Sequence, residues 1–383
     1  MAQASLQRTA PQTAEEAAGV LREAADRGRR VRFRGGGTKL AWGRVTPPPE
    51  IELSTERLDA IVEHNEGDLT AIVQAGVPLA RAQEAFARAG QMLALDPPDG
   101  DGAATVGGVV ATADSGPLRH RHHAVRDMVL GVQLALPDGT VARAGSKVIK
   151  NVAGYDLAKL LSGSFGTLGL ITEVSLRLHP QPLDTVTAVA RGADPAVLGA
   201  GASELAHRPI EAEALDVAWS GAEGAVLARF AGASAGERAR DALGVLRDAG
   251  LDGQAVDDDG ALWARQAAGQ RAADGVVVRV STTQQGVGAA LAAARAAAGR
   301  AVGRAALGLV WIALPEPSAD AVRELRERLA PAPCVVLDAP EAVREAIDPW
   351  GEADPGQLAL MRRVKERFDP RGTCNRGLFL GGI

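Results

Sequence analysis

The chain has 383 residues, which corresponds to about two or three domains at roughly 100–200 residues each. With 46% hydrophobic and 23% charged residues, it excludes a mainly disordered state. A net charge of −5 without a basic tail excludes a phosphate-tracking nucleic-acid binder, and so few aromatics (5 Trp, 1 Tyr, 6 Phe) weaken any base-stacking role. The longest apolar run, Ala305 to Leu314, is far short of the ~20 residues a membrane span needs, and no secretory signal opens the chain. Cys334 and Cys374 fit no metal spacing and read as free thiols in a reducing compartment, so no metal site is expected. The location expected is the cytoplasm, with attachment to the inner face of a membrane only through a partner.

In chain order, Thr13-Ala14-Glu15-Glu16 is a capping box that opens a helix to about Gly28. A strand at Val31–Arg34 runs into three glycines. Leu69–Gln74 reads as a buried strand, and Pro78 opens a helix that ends before Gly90. Val129–Leu136 and Thr140–Ala144 flank Pro137-Asp138-Gly139 as a hairpin. A short helix is expected at Tyr155–Leu161 and a strand at Leu170–Leu178. After Pro180-Gln181-Pro182 the texture changes to strands alternating with Ala-rich helices, twice over, as in an α/β layer. Asp257-Asp258-Asp259-Gly260 reads as a solvated loop. A last helix, about Gln357 to Phe368, leads into an irregular tail.

Three segments carry chemistry. Arg34-Gly35-Gly36-Gly37-Thr38 follows a strand; its glycines permit positive φ and let N–H groups converge on an anion, with Thr38 and Arg34 adding a hydroxyl and a charge. The same residues also suit a plain tight turn. Pro98 to Gly116 contains Thr105, Gly107, Gly108 and Thr112, whose small neighbours imply close backbone approach, to a ligand or to a sheet. Gly163-Ser164-Phe165-Gly166-Thr167-Leu168-Gly169-Leu170-Ile171 again exposes backbone groups. No G-x-G-x-x-G after a strand and no P-loop is present, so three glycine loops together point to a large cofactor with a pyrophosphate and an extended ring system.

These loops, with Gly90-Gln91-Met92-Leu93, Val125-Arg126-Asp127 and above all Lys150-Asn151-Val152-Ala153-Gly154-Tyr155-Asp156-Leu157, resemble the FAD-linked oxidase family with a vanillyl-alcohol-oxidase type of flavin domain, in particular the E subunits of bacterial glycolate oxidases. The likeness covers residues 11 to 180 and returns at Phe368-Asp369-Pro370 to Phe379. It implies an α+β, two-domain flavoprotein: a PCMH-type FAD-binding domain at 1–181, an α/β, ferredoxin-like cap at 182–350, and a helix and tail at 351–383 returning to the flavin domain. It implies FAD as cofactor, with Arg34, Gly35, Gly36, Gly37, Thr38, Pro98, Thr105, Gly107, Gly108, Thr112, Lys150, Tyr155, Asp156, Gly163, Ser164, Gly166, Thr167, Ile171 and Asn375 as the residues that hold it. Three positions depart from the pattern: Ala113 stands where many relatives carry Asn, His123 where Gly is usual, and Arg376 within a tail that normally reads Asn-Pro-Gly.

The resemblance further implies a role in oxidising glycolate or a related 2-hydroxy acid, beside a sister FAD subunit and an iron–sulfur subunit. The alternatives are a flavin-poor assembly subunit, or a free-standing FAD-dependent alcohol or sugar oxidase. The cluster His120-Arg121-His122-His123 reads as a solvated basic loop rather than a metal site. His207 is the only histidine after residue 180, so no acid–base or metal cluster is expected in the second half and no catalytic residue is assigned. Arg119, Arg121 or Arg126 is available to meet a substrate carboxylate.

Overall fold

A computed structural model describes residues 6–147 and 156–383. The helix Ala14–Asp26 begins where the capping box predicts: the Glu16 amide donates to Thr13 Oγ1 at 3.1 Å. The Glu16 carboxylate reaches one residue further back than expected, to the Gln12 amide at 2.7 Å. Its apolar stripe, Ala17, Ala18, Leu21 and Ala24, is fully buried against Val31, Ile51 and Leu53 of a small parallel sheet ordered Gln7–Thr9, Ile51–Ser54, Val31–Arg34. Truncating Leu21 there would cost about 2–5 kcal/mol, the usual range for a buried Leu→Ala.

A second, antiparallel sheet is ordered Ile61–Asn65, Thr70–Gln74, Leu170–Arg177, Val129–Ala135, Val141–Gly145. The predicted hairpin closes at Gly139, which takes φ +88°. The helices Leu79–Ala87 and Val106–Thr112 pack on this sheet through Phe86, Val109 and Val110.

The second half forms one eight-stranded sheet, ordered Asp252–Val256, Thr185–Gly192, Glu223–Ala231, Ala214–Ser220, Arg300–Arg304, Leu309–Leu314, Val276–Ser281, Cys334–Asp338, every pair antiparallel. Each half of it is a β-α-β-β-α-β unit of the ferredoxin-like kind, and the two join edge to edge between Ala214–Ser220 and Arg300–Arg304. The helices Pro195–Ala206, Ala235–Asp248, Val287–Ala296 and Ala319–Leu329 cover one face through alternate residues such as Val217, Val226, Val278, Val280 and Ile312. The other face turns towards the first half, where Val277, Val302 and Trp311 meet Trp42 and Phe165.

The acidic turn is solvated at Asp257, Asp258 and Gly260 but not at Asp259. Asp259 is 2% exposed and pairs with Arg229 at 2.8 Å while accepting from the Thr185 and Thr187 hydroxyls at 3.1 and 2.7 Å. It stands just before the helix Gly260–Ala268, which covers part of the sheet through Trp263. The final helix, Pro355–Phe368, returns to the five-stranded core through Val364 and Phe368, and the tail lies beside Val31: the Val31 amide donates to Thr373 O at 2.9 Å and the Asn375 amide to Val31 O at 3.0 Å. Among the described residues no helix is long and apolar enough to cross a membrane.

Candidate functional site: a glycine-walled cleft

The first glycine loop is fixed by contact with the second. A Cβ on Gly36 would lie 1.5 Å from Ala103 O, and one on Gly35 2.4 Å from Thr105 Oγ1, so only glycine lets the loops touch there. Gly107 is equally confined: its amide donates to Ala75 O at 2.8 Å, and a Cβ would fall 2.5 Å from that of Ala75. Thr105 caps the helix Val106–Thr112 by accepting from the Gly108 amide at 3.2 Å, and the Thr112 hydroxyl donates back to Gly108 O at 2.8 Å.

Between these loops, the Val31–Arg34 strand and the start of the Leu170–Arg177 strand runs a cleft of about 290 Å³. The amides of Gly35, Gly36, Gly37 and Thr38 all belong to its wall and donate to no group among the described residues. Consecutive free N–H groups on a concave wall are what an anion needs. The charges agree. Lys39 is tied to Asp114 at 3.1 Å, Arg30 to Glu50 at 3.2 Å, Arg32 to Glu52 at 2.5 Å and Arg44 to Asp348. Arg344 and Arg376, also on the wall, have no carboxylate partner among the described residues, and Glu341 is the one acid on the lining. Phe165, Leu170, Ile171 and Val109 give the cleft an apolar stretch as well. Phe165 is held by Phe379 and Trp350, with ring centroids at 5.2 and 4.9 Å. Free amides, surplus positive charge and apolar side chains fit a pyrophosphate joined to a flat ring system.

Of the residues singled out in the sequence, Arg34, Gly35, Gly36, Gly37, Thr38, Thr105, Gly107, Gly108, Thr112, Gly166, Ile171 and Asn375 line this cleft. Asn375 does so while using both ends of its amide: Oδ1 accepts from the Phe33 amide at 3.0 Å and Nδ2 donates to Phe165 O at 2.6 Å. Gly163, Ser164 and Thr167 lie off the lining. They build the turn that presents Phe165 and Gly166, with the Thr167 hydroxyl donating to Ser164 O at 2.7 Å and the Gly163 amide to Val110 O at 2.9 Å. Pro98 is buried and is not part of the lining. Asp156 is half-exposed and paired with Lys159 at 3.0 Å, away from the lining. Lys150 and Tyr155 lie outside the described residues. Wall residues that the motifs do not single out include Lys39, Ala75, Phe165 and Arg344.

The His120–His123 loop is not simply solvated. Arg119–His122 forms a single helical turn, and His122 Nε2 faces Glu213 Oε2 of the second half at 3.4 Å and stacks edge-on against His179 at 4.6 Å. The His122 contact holds the Glu213 carboxyl below its ordinary value; burial, with His122 beside it, depresses the His179 imidazole to about 4. His207 is exposed, with Nδ1 against Ser203 O at 2.7 Å. Both thiols are buried and pushed above their usual value by burial.

Residues 7–145 match the family described as FAD binding domain. Glycolate oxidase subunit GlcE of Escherichia coli is 38% identical over 150 residues, 39% of this chain and 42% of that protein. D-lactate dehydrogenase of Archaeoglobus fulgidus is 39% identical over 180 residues, 47% of this chain and 40% of that protein. The matched stretches thus span less than half of these relatives. Among solved structures, an alkyldihydroxyacetonephosphate synthase superposes with a TM-score of 0.71 at 16% identity, over 96% of this chain and 75% of that one, a likeness of fold. Residues 7–145 therefore carry the match to an FAD-binding domain, and over that stretch the chain resembles the glycolate oxidase subunit GlcE.

Proposed function

We propose that the chain is an FAD-dependent oxidoreductase subunit acting on the CH–OH group of glycolate or a related 2-hydroxy acid, working beside a sister flavoprotein and passing electrons to an iron–sulfur partner. The observation that carries the reading is the row of free amides from Gly35 to Thr38 in a cleft with surplus positive charge. Relatives named glycolate oxidase subunit GlcE, D-lactate dehydrogenase and D-2-hydroxyglutarate dehydrogenase support the choice of substrate class.

Bound FAD would supply a two-electron acceptor at the cleft's apolar stretch. The chain's own residues would do the rest. Gly35 to Thr38 would donate to pyrophosphate oxygens, Arg344 and Arg376 would offset their charge, and Phe165 with Ile171 would exclude water from the ring. No described histidine stands on the cleft wall to take a hydroxyl proton, which favours a chain that depends on partners for turnover.

The test is dye-linked oxidation of glycolate and D-lactate by the purified FAD-loaded chain, then with the sister flavoprotein and iron–sulfur subunits added. Slow turnover rising by about tenfold or more, equivalent to about 1.4 kcal/mol of barrier per tenfold, is the expected outcome. Rapid turnover by the chain alone would favour a free-standing oxidase.

A further inference from the structure

Lys39 follows directly on the loop whose amides wall the cleft, and its side chain, 6% exposed, belongs to the cleft lining. The ammonium meets Asp114 Oδ2 at 3.1 Å, off the line of a hydrogen bond: that oxygen accepts from no described residue. Lys39 Nζ thus donates no hydrogen bond among the described residues, and its three N–H groups are unspent beside the cleft. Asp114 is not on the lining, so the cation and not the acid faces the site. The ammonium also lies 5.6 Å from the centroid of Trp42, whose ring is 6.5 Å from Phe165 on the wall. Lys39 therefore stands by the aromatic side of the cleft, next in the chain after the amides suited to pyrophosphate.

The second half of the chain grips the backbone beside both members of this pair. Arg271 Nη2 donates to Thr38 O, the carbonyl before Lys39, at 3.0 Å. Asp338 holds that guanidinium at 2.6 and 3.0 Å and accepts from Trp42 Nε1 at 2.9 Å. Gln270 Nε2 donates at 3.0 Å to the carbonyl of Ser115, the residue after Asp114. Gln270 Oε1 in turn accepts from Arg304, which is paired with Asp216 at 2.8 Å, and Gln270 and Arg304 are both fully buried. Two consecutive residues, 270 and 271, thus fasten two glycine segments of the first half, each at the point where it carries one member of the Lys39–Asp114 pair.

We propose that Lys39 presents a positive charge to the ring of bound flavin, and that Gln270 and Arg271 are positioning residues that hold it there from the second half. Two-electron reduction of a flavin with uptake of one proton leaves its ring with one more negative charge. A buried cation beside the ring favours that form and so raises the reduction potential. The inference rests on the assignment of the cleft to FAD and not on the choice of substrate.

The test is the reduction potential of the FAD-loaded chain, read against a dye of known potential while xanthine and xanthine oxidase reduce both. Flavin content is measured on the same samples. Lys39→Met is expected to lower the potential by about 30 mV or more, equivalent to tenfold in a two-electron equilibrium, and Lys39→Arg to recover most of the loss. Gln270→Leu, which leaves every charge in place, should lower it in the same direction by less. Combining Gln270→Leu with Lys39→Met should add nothing to Lys39→Met alone, since Gln270 acts through the ammonium. Residues with a stabilising role alone would shift the melting temperature and leave the potential where it was. FAD-loaded Lys39→Met at the parent's potential would overturn the proposal while the cofactor assignment stands. A further drop on adding Gln270→Leu to Lys39→Met would overturn the positioning role. Loss of FAD from Lys39→Met, restored in Lys39→Arg, would put the ammonium at the pyrophosphate and contradict its place at the ring. A parent chain that takes up no FAD would end both the assignment and the proposal.

Discussion

Asn375 Oδ1 accepts a hydrogen bond from the Phe33 amide at 3.0 Å, joining the tail to a strand 342 residues earlier in the chain. The other end of the same side chain donates to Phe165 O at 2.6 Å, so one amide ties together three segments of the cleft wall. Asn375→Ala leaves the Phe33 amide and the Phe165 carbonyl without that partner. Each orphaned group costs about 1–3 kcal/mol when buried, and these are partly buried, so a loss of about 2–3 kcal/mol is expected in urea unfolding. Flavin retention should fall with it, since Phe165 and Gly166 lose their anchor.

His123 occupies φ +68°, ψ −159°, a region essentially reserved for glycine. This accounts for the glycine usual at that position in the family that the sequence resembles. His123→Gly should stabilise the chain by about 1 kcal/mol, the relief of strain exceeding the entropy a glycine loses on folding. Thermal melting at neutral pH reads it. Ala113, at φ +50° and ψ 33° as the C-cap of Val106–Thr112, tells the same story, because Asn tolerates that left-handed geometry better than Ala.

Acid should loosen the contact between the two halves at His179 and Glu213. His179 titrates near 4 in the fold against about 6.5 when unfolded, so the unfolded chain takes up the proton first. Stability from this group is therefore full above about pH 6.5 and is lost as pH falls towards 4. The lowered Glu213 acts in the same direction, below its ordinary value. Asp96 and Asp216, raised by burial to about 6 and about 7, act oppositely, their contribution fading as pH rises from about 4 to those values. The informative quantity is thus the difference between His179→Gln and the parent. Between pH 7 and 4.5 the variant should gain about 1–2 kcal/mol on the parent, a figure reduced for partial exposure of the ring. Urea titrations at the two pH values measure it.

Limited proteolysis tests the division into 1–181, 182–350 and 351–383. Leu183 is 95% exposed in the connection before the strand Thr185–Gly192, so first cleavage is expected within residues 181–184. The acidic turn at 257–260 should resist, because Asp259 is fastened to Thr185, Thr187 and Arg229. Early cleavage at that turn would mean that this network does not hold in solution.

That turn marks the limit of what the sequence shows. The helix after Thr13, the hairpin at Gly139 and the repeated strand–helix texture after Pro182 are legible because their determinants are local: a cap, a turn, a periodicity. Asp259 reads as solvent-facing because three acids and a glycine look like a loop; its partners lie 30 to 74 residues away. The edge strand Asp252–Val256 is nearly all exposed and shows no alternation to read. The glycine loops are legible as a site since glycine is demanded by contact, yet Lys39, one residue beyond Thr38, gains its meaning only from Asp114.

The cleft walled by Gly35–Thr38 is assigned to FAD, and the flavin-to-protein ratio after purification and equilibration with FAD measures this directly. The parent chain is expected to hold equimolar FAD that is released on denaturation. Gly36→Ala, whose new Cβ would sit 1.5 Å from Ala103 O and so force the two loops apart, should retain about tenfold less while the eight-stranded sheet keeps its melting transition. A parent chain that takes up no FAD, or a Gly36→Ala chain as fully loaded as the parent, would contradict the assignment.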